Sequence, residues 1–207
     1  MCGAVNAAAS EGACAKLYVH DVTDFDEIPV LFQQIVQDLS GLDLIIYNAG
    51  VMPLVEINEF DFAKDKLQVE VNLLGGMAWL NCAAERFQQT GSGHIVGISS
   101  VAGDRGRAGS PGYNTSKAAL TTYLEALRNR LAKLGVDVTT VKPGFVQTAM
   151  LEGAKTTFGV ISPDDAAERI VTAVKNSKQT VYVPRFWALI MLIIRNIPSF
   201  IFRRLSI

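Results

Sequence analysis

The chain has 207 residues, a length that fits one domain, and 49% of them are hydrophobic, which is enough to form a sizeable core. The net charge of −1 hides an asymmetry, because no acidic residue follows Glu168. Seven of the 19 basic residues lie beyond that point, so the other 12 stand against all 20 acidic ones. A basic end on an acidic body indicates an anionic partner surface. Nucleic acid is excluded as that partner, since the basic residues alternate with long apolar side chains and no reader motif is present.

The cysteines also limit the class of protein. Cys2, Cys14 and Cys82 show no paired spacing, and an odd number argues for free thiols in a reducing compartment rather than a disulfide framework. We therefore expect a cytoplasmic protein. Neither these cysteines nor the two histidines, His20 and His94, are spaced as metal ligands, so the sequence predicts no metal site.

Strand and helix patterns alternate along the chain, which is typical of an α/β fold with a parallel sheet and helices on both faces. We expect strands at residues 16–20, 42–47, 95–98, 136–141 and 180–183. Helices are expected from Asp24 or Asp26 to about residue 39, from about 60 to 89, from the segment around 113 to near 135, and from 163 to about 176. Ser162 and Pro163 are typical of a helix start, and Gly75 indicates close helix packing.

Tyr113 and Lys117 are the most informative pair of residues. They are four positions apart in a helix-forming context, so they lie on the same helix face. A phenol ordinarily loses its proton near a pKa of ~10, and a neighbouring ammonium lowers that value. The pair can therefore donate and accept the proton that accompanies hydride transfer to a carbonyl. The spacing alone is not specific, because it is common on solvated helices.

Other polar residues stand at the ends of predicted strands. Ser100 follows the strand at 95–98, at the edge where open α/β sheets bind ligands, and its hydroxyl can donate to a carbonyl oxygen. Asn48 follows the strand at 42–47 in an Asn-Ala-Gly turn, and Asn72 falls inside a helical pattern. Pro143 begins a Pro-Gly turn after the strand at 136–141. Each residue alone is ordinary for a turn, a helix surface or a loop, so their joint occurrence in this order carries the information.

Together these motifs resemble the short-chain dehydrogenase/reductase family over about residues 16–184. The resemblance implies a Rossmann-like, doubly wound parallel sheet, an NAD(P) cofactor with NADP favoured, and hydride transfer between a secondary alcohol and a ketone. It implies that Tyr113 is the acid/base and that Ser100 orients the reacting oxygen. Lys117 would hold the nicotinamide ribose and lower the pKa of the phenol, and Asn72 would hold a water in a proton relay.

The resemblance also implies a set of cofactor contacts. Asp21 and Val22 match the turn that meets the adenine. Pro143, Gly144, Val146 and Thr148 match the segment that lines the nicotinamide. The other matched cofactor positions are Asn48, Ala49, Gly50, Tyr113 and Lys117.

The chain departs from the family pattern at its start. The glycine-rich motif Thr-Gly-x-x-x-Gly-x-Gly does not occur, and residues 16–20 correspond to the family's third strand. We therefore expect a sheet that lacks the usual first two strands. Three interpretations stay open: a fragment of a longer protein, which we favour, direct pairing of the strands at 16–20 and 42–47, or a non-catalytic relic or binding protein. The residues that select NAD or NADP would lie on the missing second strand.

Residues 1–184 are predicted to form the partial oxidoreductase domain, and residues 185–207 an apolar and basic tail of the same domain. The apolar run at 186–194 is too short to span a bilayer, which needs ~20 residues. Its aromatic residues beside arginines are typical of a segment lying on a membrane, and packing on the domain or on a second subunit is the alternative. Pro198 is expected to divide the tail into two pieces.

The tail and the Ala-Gly-Asp-Arg-Gly-Arg segment after Ser100 are also similar to reductases of a polyprenyl-phosphate-linked 2-keto-pentose. That similarity implies a lipid-linked or hydrophobic substrate, which peripheral membrane contact through residues 185–207 would suit. We also expect a homo-oligomer. The loop at 149–161 is expected to cover the substrate, either as an apolar pocket wall or as ordinary packing. Arg105 and Arg107 are expected to meet a phosphate or to be solvated.

Overall fold

The structure is a computed structural model that describes residues 15–151 and 158–205. Its sheet has four parallel strands in the order β1–β2–β3–β4. The strands are Leu44–Tyr47 (β1), Gly93–Ile98 (β2), Val136–Pro143 (β3) and Thr180–Val183 (β4). The helices are Ile28–Asp38 (α1), Phe62–Val69 (α2), Gly75–Thr90 (α3), Pro111–Leu131 (α4), Pro163–Lys175 (α5), Trp187–Asn196 (α6) and Ser199–Phe202 (α7). The predicted α/β class with a parallel sheet is confirmed.

Helices cover both faces of the sheet. Neighbouring residues of a strand point to opposite sides, and here both sides carry apolar side chains that helices bury. Ile95 of β2 is buried in one cluster with Leu80 of α3 and Leu124 of α4. The next residue, Val96, is buried in a second cluster with Ala166 of α5. The sheet is therefore doubly wound, as the sequence predicts.

The register brings the carboxyl ends of the strands to one edge of the sheet. Tyr47 of β1 is level with Gly97 of β2, and Ile98 of β2 is level with Val141 of β3. The polar residues that follow β1, β2 and β3 consequently meet at this edge.

Residues 16–20 belong to no strand or helix, so the predicted strand is wrong for this segment. The segment is attached to the end of α1 instead, where the Tyr18 hydroxyl donates to the Asp38 carboxylate at 2.5 Å and the Lys16 ammonium lies 3.5 Å from it. An extended segment becomes a strand only when a neighbour supplies hydrogen-bond partners. Within residues 15–151 and 158–205 no such neighbour is present, and direct pairing with β1 does not occur.

The start of the first helix also differs from the prediction. The first helix begins at Ile28 after Glu27, so neither Asp24 nor Asp26 caps it. Asp24 instead closes a turn, because its N–H donates to the Asp21 carbonyl at 2.9 Å.

The long helix predicted at 60–89 is interrupted by a π-helical turn, Glu70–Leu74, between α2 and α3. A single π-turn inserted in a helix is frequent at functional sites, and this one contains Asn72. The following Gly75 lies so close to β1 that a β-carbon there would be 2.7 Å from the Tyr47 hydroxyl. The predicted close packing at this glycine is confirmed.

Local signals elsewhere are confirmed. Ser162 caps α5 by accepting from the Asp165 N–H at 3.1 Å, and Pro163 occupies its first turn. The short 3₁₀ turn after α4 ends at Gly135, whose φ of +72° suits glycine. Pro198 separates α6 from α7. No helix among the described residues is long and apolar enough to cross a membrane.

Candidate active site

Helix α4 carries Tyr113 and Lys117 on its inner face, and both side chains are buried. The Lys117 ammonium donates to the Ile98 carbonyl at the end of β2, at 2.9 Å, and lies 5.8 Å from the centre of the Tyr113 ring. Burial lowers the pKa of Lys117 to about 8. This ammonium can therefore lose its proton within reach of neutral pH.

Ser100 lies beside Tyr113 because β2 ends just before it. Its hydroxyl oxygen accepts from the Ala102 N–H at 3.1 Å, which starts the 3₁₀ turn Val101–Asp104. Burial raises the pKa of the Tyr113 phenol, while hydrogen bonding with Ser100 and the positive charge of Arg107 lower it. The sequence predicts that Lys117 lowers the pKa of Tyr113. In the structure burial has the larger effect and raises this pKa, and the groups that lower it are Ser100 and Arg107.

Asn72 is fully buried, and its side-chain amide is engaged with protein groups. Its two N–H bonds donate to the Val51 carbonyl and to the Ser116 hydroxyl, both at 3.0 Å, and its oxygen accepts from the Val51 N–H at 2.7 Å. The amide therefore ties the turn after β1 to α4. Among the side-chain atoms of Asn72, only the second lone pair of the amide oxygen is left for the predicted proton-relay water.

The Asn48-Ala49-Gly50 turn passes directly over these side chains. A β-carbon at Gly50 would lie 3.3 Å from the Lys117 nitrogen and 3.4 Å from the Asn72 amide oxygen. A side chain at Gly50 would thus touch both groups, and the turn, Asn72 and Lys117 form one cluster.

The Pro-Gly turn after β3 meets the same site from the other side. The Ser100 hydroxyl lies 3.5 Å from the Pro143 carbonyl, and the Gly144 N–H donates to the Val183 carbonyl at 2.8 Å. Val146 pairs with Ile161 in an isolated bridge. Thr148 lies further out, exposed to solvent, and its hydroxyl is 3.4 Å from the Val146 carbonyl.

Asp21 and Val22 form the predicted turn beyond residues 16–20. The Asp21 carboxylate is exposed and accepts from both the N–H and the hydroxyl of Thr23, which lowers its pKa. Val22 packs against the cluster around Tyr47, at the end of β1. The turn is consequently near the open side of β1.

Sequence reasoning missed a buried polar network next to Ser100. The Asp104 carboxylate accepts from the Lys142 ammonium at 2.5 Å and from the Tyr182 hydroxyl at 2.7 Å. Burial and the adjacent carboxylate raise the pKa of Tyr182 to about 12. The three positions are far apart in the chain, and each is ordinary in its own segment, so no local signal reveals the network.

The two arginines after Ser100 have different surroundings. Arg105 is half-buried, and its Nη1 donates to backbone carbonyls of the tail rather than facing an open anion site. Arg107 is partly buried near Tyr113, and its Nε has no hydrogen-bond partner in the part of the chain that the structure describes. Burial lowers the pKa of Arg107, and the Tyr113 phenol opposes that change.

The predicted loop over the substrate is only partly described, since residues 152–157 lie outside the described residues. At its far end Phe158 contacts the rings of Phe186 and Trp187 at centroid distances of 5.9 and 6.0 Å. A cavity of about 710 Å³ lies elsewhere, between α5, β4 and the start of α6, and none of the predicted site residues lines it. Residues 15–151 and 158–205 contain no group of side chains that could hold a metal ion.

A buried Tyr-Lys pair, a serine at a strand end and a doubly wound parallel sheet define an α/β oxidoreductase. The family model of the short-chain dehydrogenases matches residues 3–158, so the chain belongs to the short-chain dehydrogenase family. An uncharacterised oxidoreductase of Mycobacterium tuberculosis is 28% identical over 188 residues, covering 90% of this chain and 74% of the relative. One from Staphylococcus aureus is 31% identical over 164 residues, covering 79% of this chain and 71% of the relative.

Solved structures share the fold. A short-chain dehydrogenase from Streptomyces avermitilis aligns with a TM-score of 0.76 at 21% identity, over 91% of this chain and 78% of that one. ElxO with NADP bound aligns with a TM-score of 0.73 at 21% identity, over 81% of this chain and 75% of that one. The similarity to polyprenyl-phosphate-linked reductases stays a prediction.

Proposed function

We propose that the protein is an NAD(P)-dependent oxidoreductase that interconverts a secondary alcohol and a ketone, with Tyr113 as the acid/base. The observation that carries the proposal is the convergence of Tyr113, Ser100 and Lys117 at one buried edge of the sheet. The curated relatives are oxidoreductases, which disfavours the alternative of a non-catalytic relic.

The nicotinamide half of the cofactor fits the residues present. Gly50 leaves an opening beside the Lys117 ammonium and the Asn72 amide that a β-carbon would fill. We assign cofactor contacts here to the Asn48-Ala49-Gly50 turn, to Lys117 and to the segment from Pro143 to Thr148, and adenine contacts to Asp21 and Val22. NADP is favoured over NAD, supported by the NADP bound to ElxO, which has the same fold.

The bound cofactor supplies or accepts the hydride, and this chain's residues handle the proton. As hydride reaches the carbonyl carbon, negative charge develops on the oxygen, and the Tyr113 hydroxyl donates its proton to it. Ser100 donates a hydrogen bond to the same oxygen and so stabilises the developing charge. The Lys117 ammonium, held by the Ile98 carbonyl, would hold the cofactor's ribose and supplies positive charge near the phenolate that forms.

Deuterium transfer tests this activity. The 207-residue chain is incubated with a panel of ketones and with NADPH that carries deuterium on its reactive ring carbon. The proposal predicts deuterium on the carbinol carbon of the product alcohol. Products without deuterium, or no reduction of any ketone at millimolar cofactor, would contradict it.

We further propose that the substrate is hydrophobic or lipid-linked and is met at an anionic membrane surface. The tail is packed on one side only: Trp187 and Met191 are buried, whereas Leu192, Ile193 and Phe200 are about 60% exposed. Four arginines flank the exposed side chains, at positions 185, 195, 203 and 204. Burial of this apolar face and attraction of the arginines to anionic lipids both favour membrane contact.

Liposome flotation tests the membrane contact without removing the packed face of the tail. A triple variant, Leu189→Ser, Leu192→Ser and Ile193→Ser, should lose binding to anionic vesicles. A matched control changes three exposed apolar residues elsewhere, Leu17→Ser, Val19→Ser and Val30→Ser, and should keep it. If the unchanged chain does not float with anionic vesicles, the lipid-linked substrate loses its support.

We propose that residues 1–184 and 185–207 form one domain, because the inner face of the tail is buried against the rest of the chain. We also propose that the protein is a homo-oligomer in the cytoplasm. Trp187 and Met191 pack in one cluster with Val101, the residue after Ser100. The tail is therefore continuous with the site on that side.

A further inference from the structure

Arg105 joins the loop after Ser100 to the C-terminal tail. Its Nη1 donates to the Ile194 carbonyl at 2.5 Å and to the Ile197 carbonyl at 2.6 Å, with a longer contact of 3.3 Å to the Arg195 carbonyl. The last carbonyls of a helix have no partner within that helix and carry partial negative charge. A guanidinium from another part of the chain thus satisfies the end of α6.

The same guanidinium also stacks on the second tail helix. The Arg105 Cζ lies 3.8 Å from the centre of the Phe202 ring in α7. A planar guanidinium can stack and donate several hydrogen bonds at once, which an ammonium cannot do. Arg105 therefore fixes α6 and α7 together, across 89 to 97 positions of sequence.

The helix that Arg105 holds packs against the site. Trp187 of α6 is buried in a cluster with Val101, which follows Ser100, and with Phe145, whose ring centroid is 5.6 Å away. A β-carbon at Gly144 would lie 2.0 Å from the Trp187 Nε1, so the indole fills the side-chain space of the Pro-Gly turn. Both segments that flank the predicted reacting centre are consequently backed by the tail.

We propose that Arg105 is a positioning residue that holds the tail as a wall of the substrate site, acting on Ser100 and Gly144 through Trp187. The proposal rests on the proposed oxidoreductase function. Loss of the guanidinium frees the end of α6, lets Trp187 withdraw, and loosens the loop that presents Ser100. The Asn48-Ala49-Gly50 turn and Lys117 lie on other elements, whereas Gly144 belongs to the segment assigned to the cofactor and is backed by Trp187. Loss of Arg105 should therefore weaken NADPH binding less than it slows ketone reduction.

Hydrogen exchange decides the positioning step without any assay of turnover. In Arg105→Gln, the amides of 187–202 and those of 101–104 should both exchange faster than in the unchanged chain, whereas those of 124–131 in α4 should not. Arg105→Lys keeps the charge and should restore only part of the protection. Arg130→Gln replaces an exposed arginine at the end of α4 and should leave both segments unchanged. Faster exchange in the tail alone would make Arg105 an ordinary helix cap and would overturn the proposal.

Kinetics decide the effect on the substrate site. In Arg105→Gln, kcat/KM for the ketone should fall about tenfold to a hundredfold, because a small misplacement of a reacting group has effects of that size. The dissociation constant for NADPH should rise by a smaller factor than kcat/KM falls, because only the Pro-Gly turn among the assigned cofactor contacts is backed by Trp187. Arg105→Lys should recover part of the lost rate. Unchanged kcat/KM, or an equal loss of NADPH affinity, would overturn the proposal. If the unchanged chain reduces no ketone, the proposed function fails, and hydrogen exchange still decides whether Arg105 couples the tail to the Ser100 loop.

Discussion

Lys142 and Asp104 form a buried ion pair with 2.5 Å between the ammonium nitrogen and a carboxylate oxygen. Lys142 is the residue before Pro143, and Asp104 ends the 3₁₀ turn that Ser100 begins. The pair therefore fixes the distance between the two segments that flank the predicted reacting centre.

Removing one partner of this pair should strongly destabilise the protein. In Lys142→Met the Asp104 carboxylate stays buried without its cation, and among the described side chains only the Tyr182 hydroxyl still donates to it. This change should lower the free energy of unfolding by about 3–5 kcal/mol. Asp104→Asn in the Lys142→Met background should restore part of that loss, because no charge then remains buried. Chemical denaturation of the single and double variants measures the coupling, and strictly additive effects would show that the pair is not coupled.

Stability should rise with pH in the range where Lys117 titrates. Burial lowers the pKa of Lys117 from 10.5 to about 8. Below pH 8 the lysine is charged in both states and the full desolvation cost is present. Between about pH 8 and 10.5 the folded state has lost the proton while the unfolded state holds it, so the free energy of unfolding rises.

Lys117→Met isolates this contribution, because every other titrating group is unchanged. As pH rises from about 8 to 10.5, the free energy of unfolding of the unchanged chain should increase by up to about 3 kcal/mol relative to that of the variant. Parallel stability curves from urea titrations at several pH values would contradict the lowered pKa.

The 207-residue chain should bind dinucleotide weakly. Its sequence contains no glycine-rich phosphate motif, the pattern whose backbone and following helix N-terminus bind the pyrophosphate. The nicotinamide half keeps its contacts near Gly50 and Lys117. Calorimetric titration with NADPH measures the affinity, and a low-micromolar dissociation constant would show that other residues bind the pyrophosphate.

Gly144 should be intolerant of a side chain because of Trp187. Gly144→Ala forces the indole to move, which should lower the free energy of unfolding by about 1–3 kcal/mol. In a Trp187→Ala background the same substitution should have a much smaller effect, since the space is then free. A double-mutant cycle by denaturation tests this, and an equal effect in both backgrounds would place the clash elsewhere.

Local patterns predicted the elements whose signals lie within a few residues. Ser162 and Pro163 mark the start of α5, a signal that lies within the segment itself. The alternation of strand and helix patterns along the chain likewise predicted a sheet with helices on both faces. Residues 16–20 show where this reasoning fails. Their extended, apolar pattern is that of a strand, but a strand also needs a partner, and the sequence of the segment does not supply one.

The candidate site was predictable from motifs but its supporting contacts were not. Tyr113, Ser100 and Asn72 could be singled out because each stands in a recognisable pattern. Arg105 and Lys142 were not assigned these contacts, since their partners are distant in sequence and depend on how the tail and β3 pack. Likewise, the direction of the Tyr113 pKa depends on burial, which the spacing of Tyr113 and Lys117 does not reveal.

The most direct test of the account is Tyr113→Phe, which removes the transferable proton and keeps the ring. At millimolar NADPH, so that weak cofactor binding does not hide the chemistry, we expect ketone reduction to fall at least about a hundredfold. The NADPH dissociation constant should stay within about twofold of its original value, because the lost interaction is made in the transition state. Lys117→Ala, the comparison, should lose both turnover and cofactor affinity. If Tyr113→Phe keeps most of the original rate, Tyr113 is not the acid/base and the proposed mechanism is wrong.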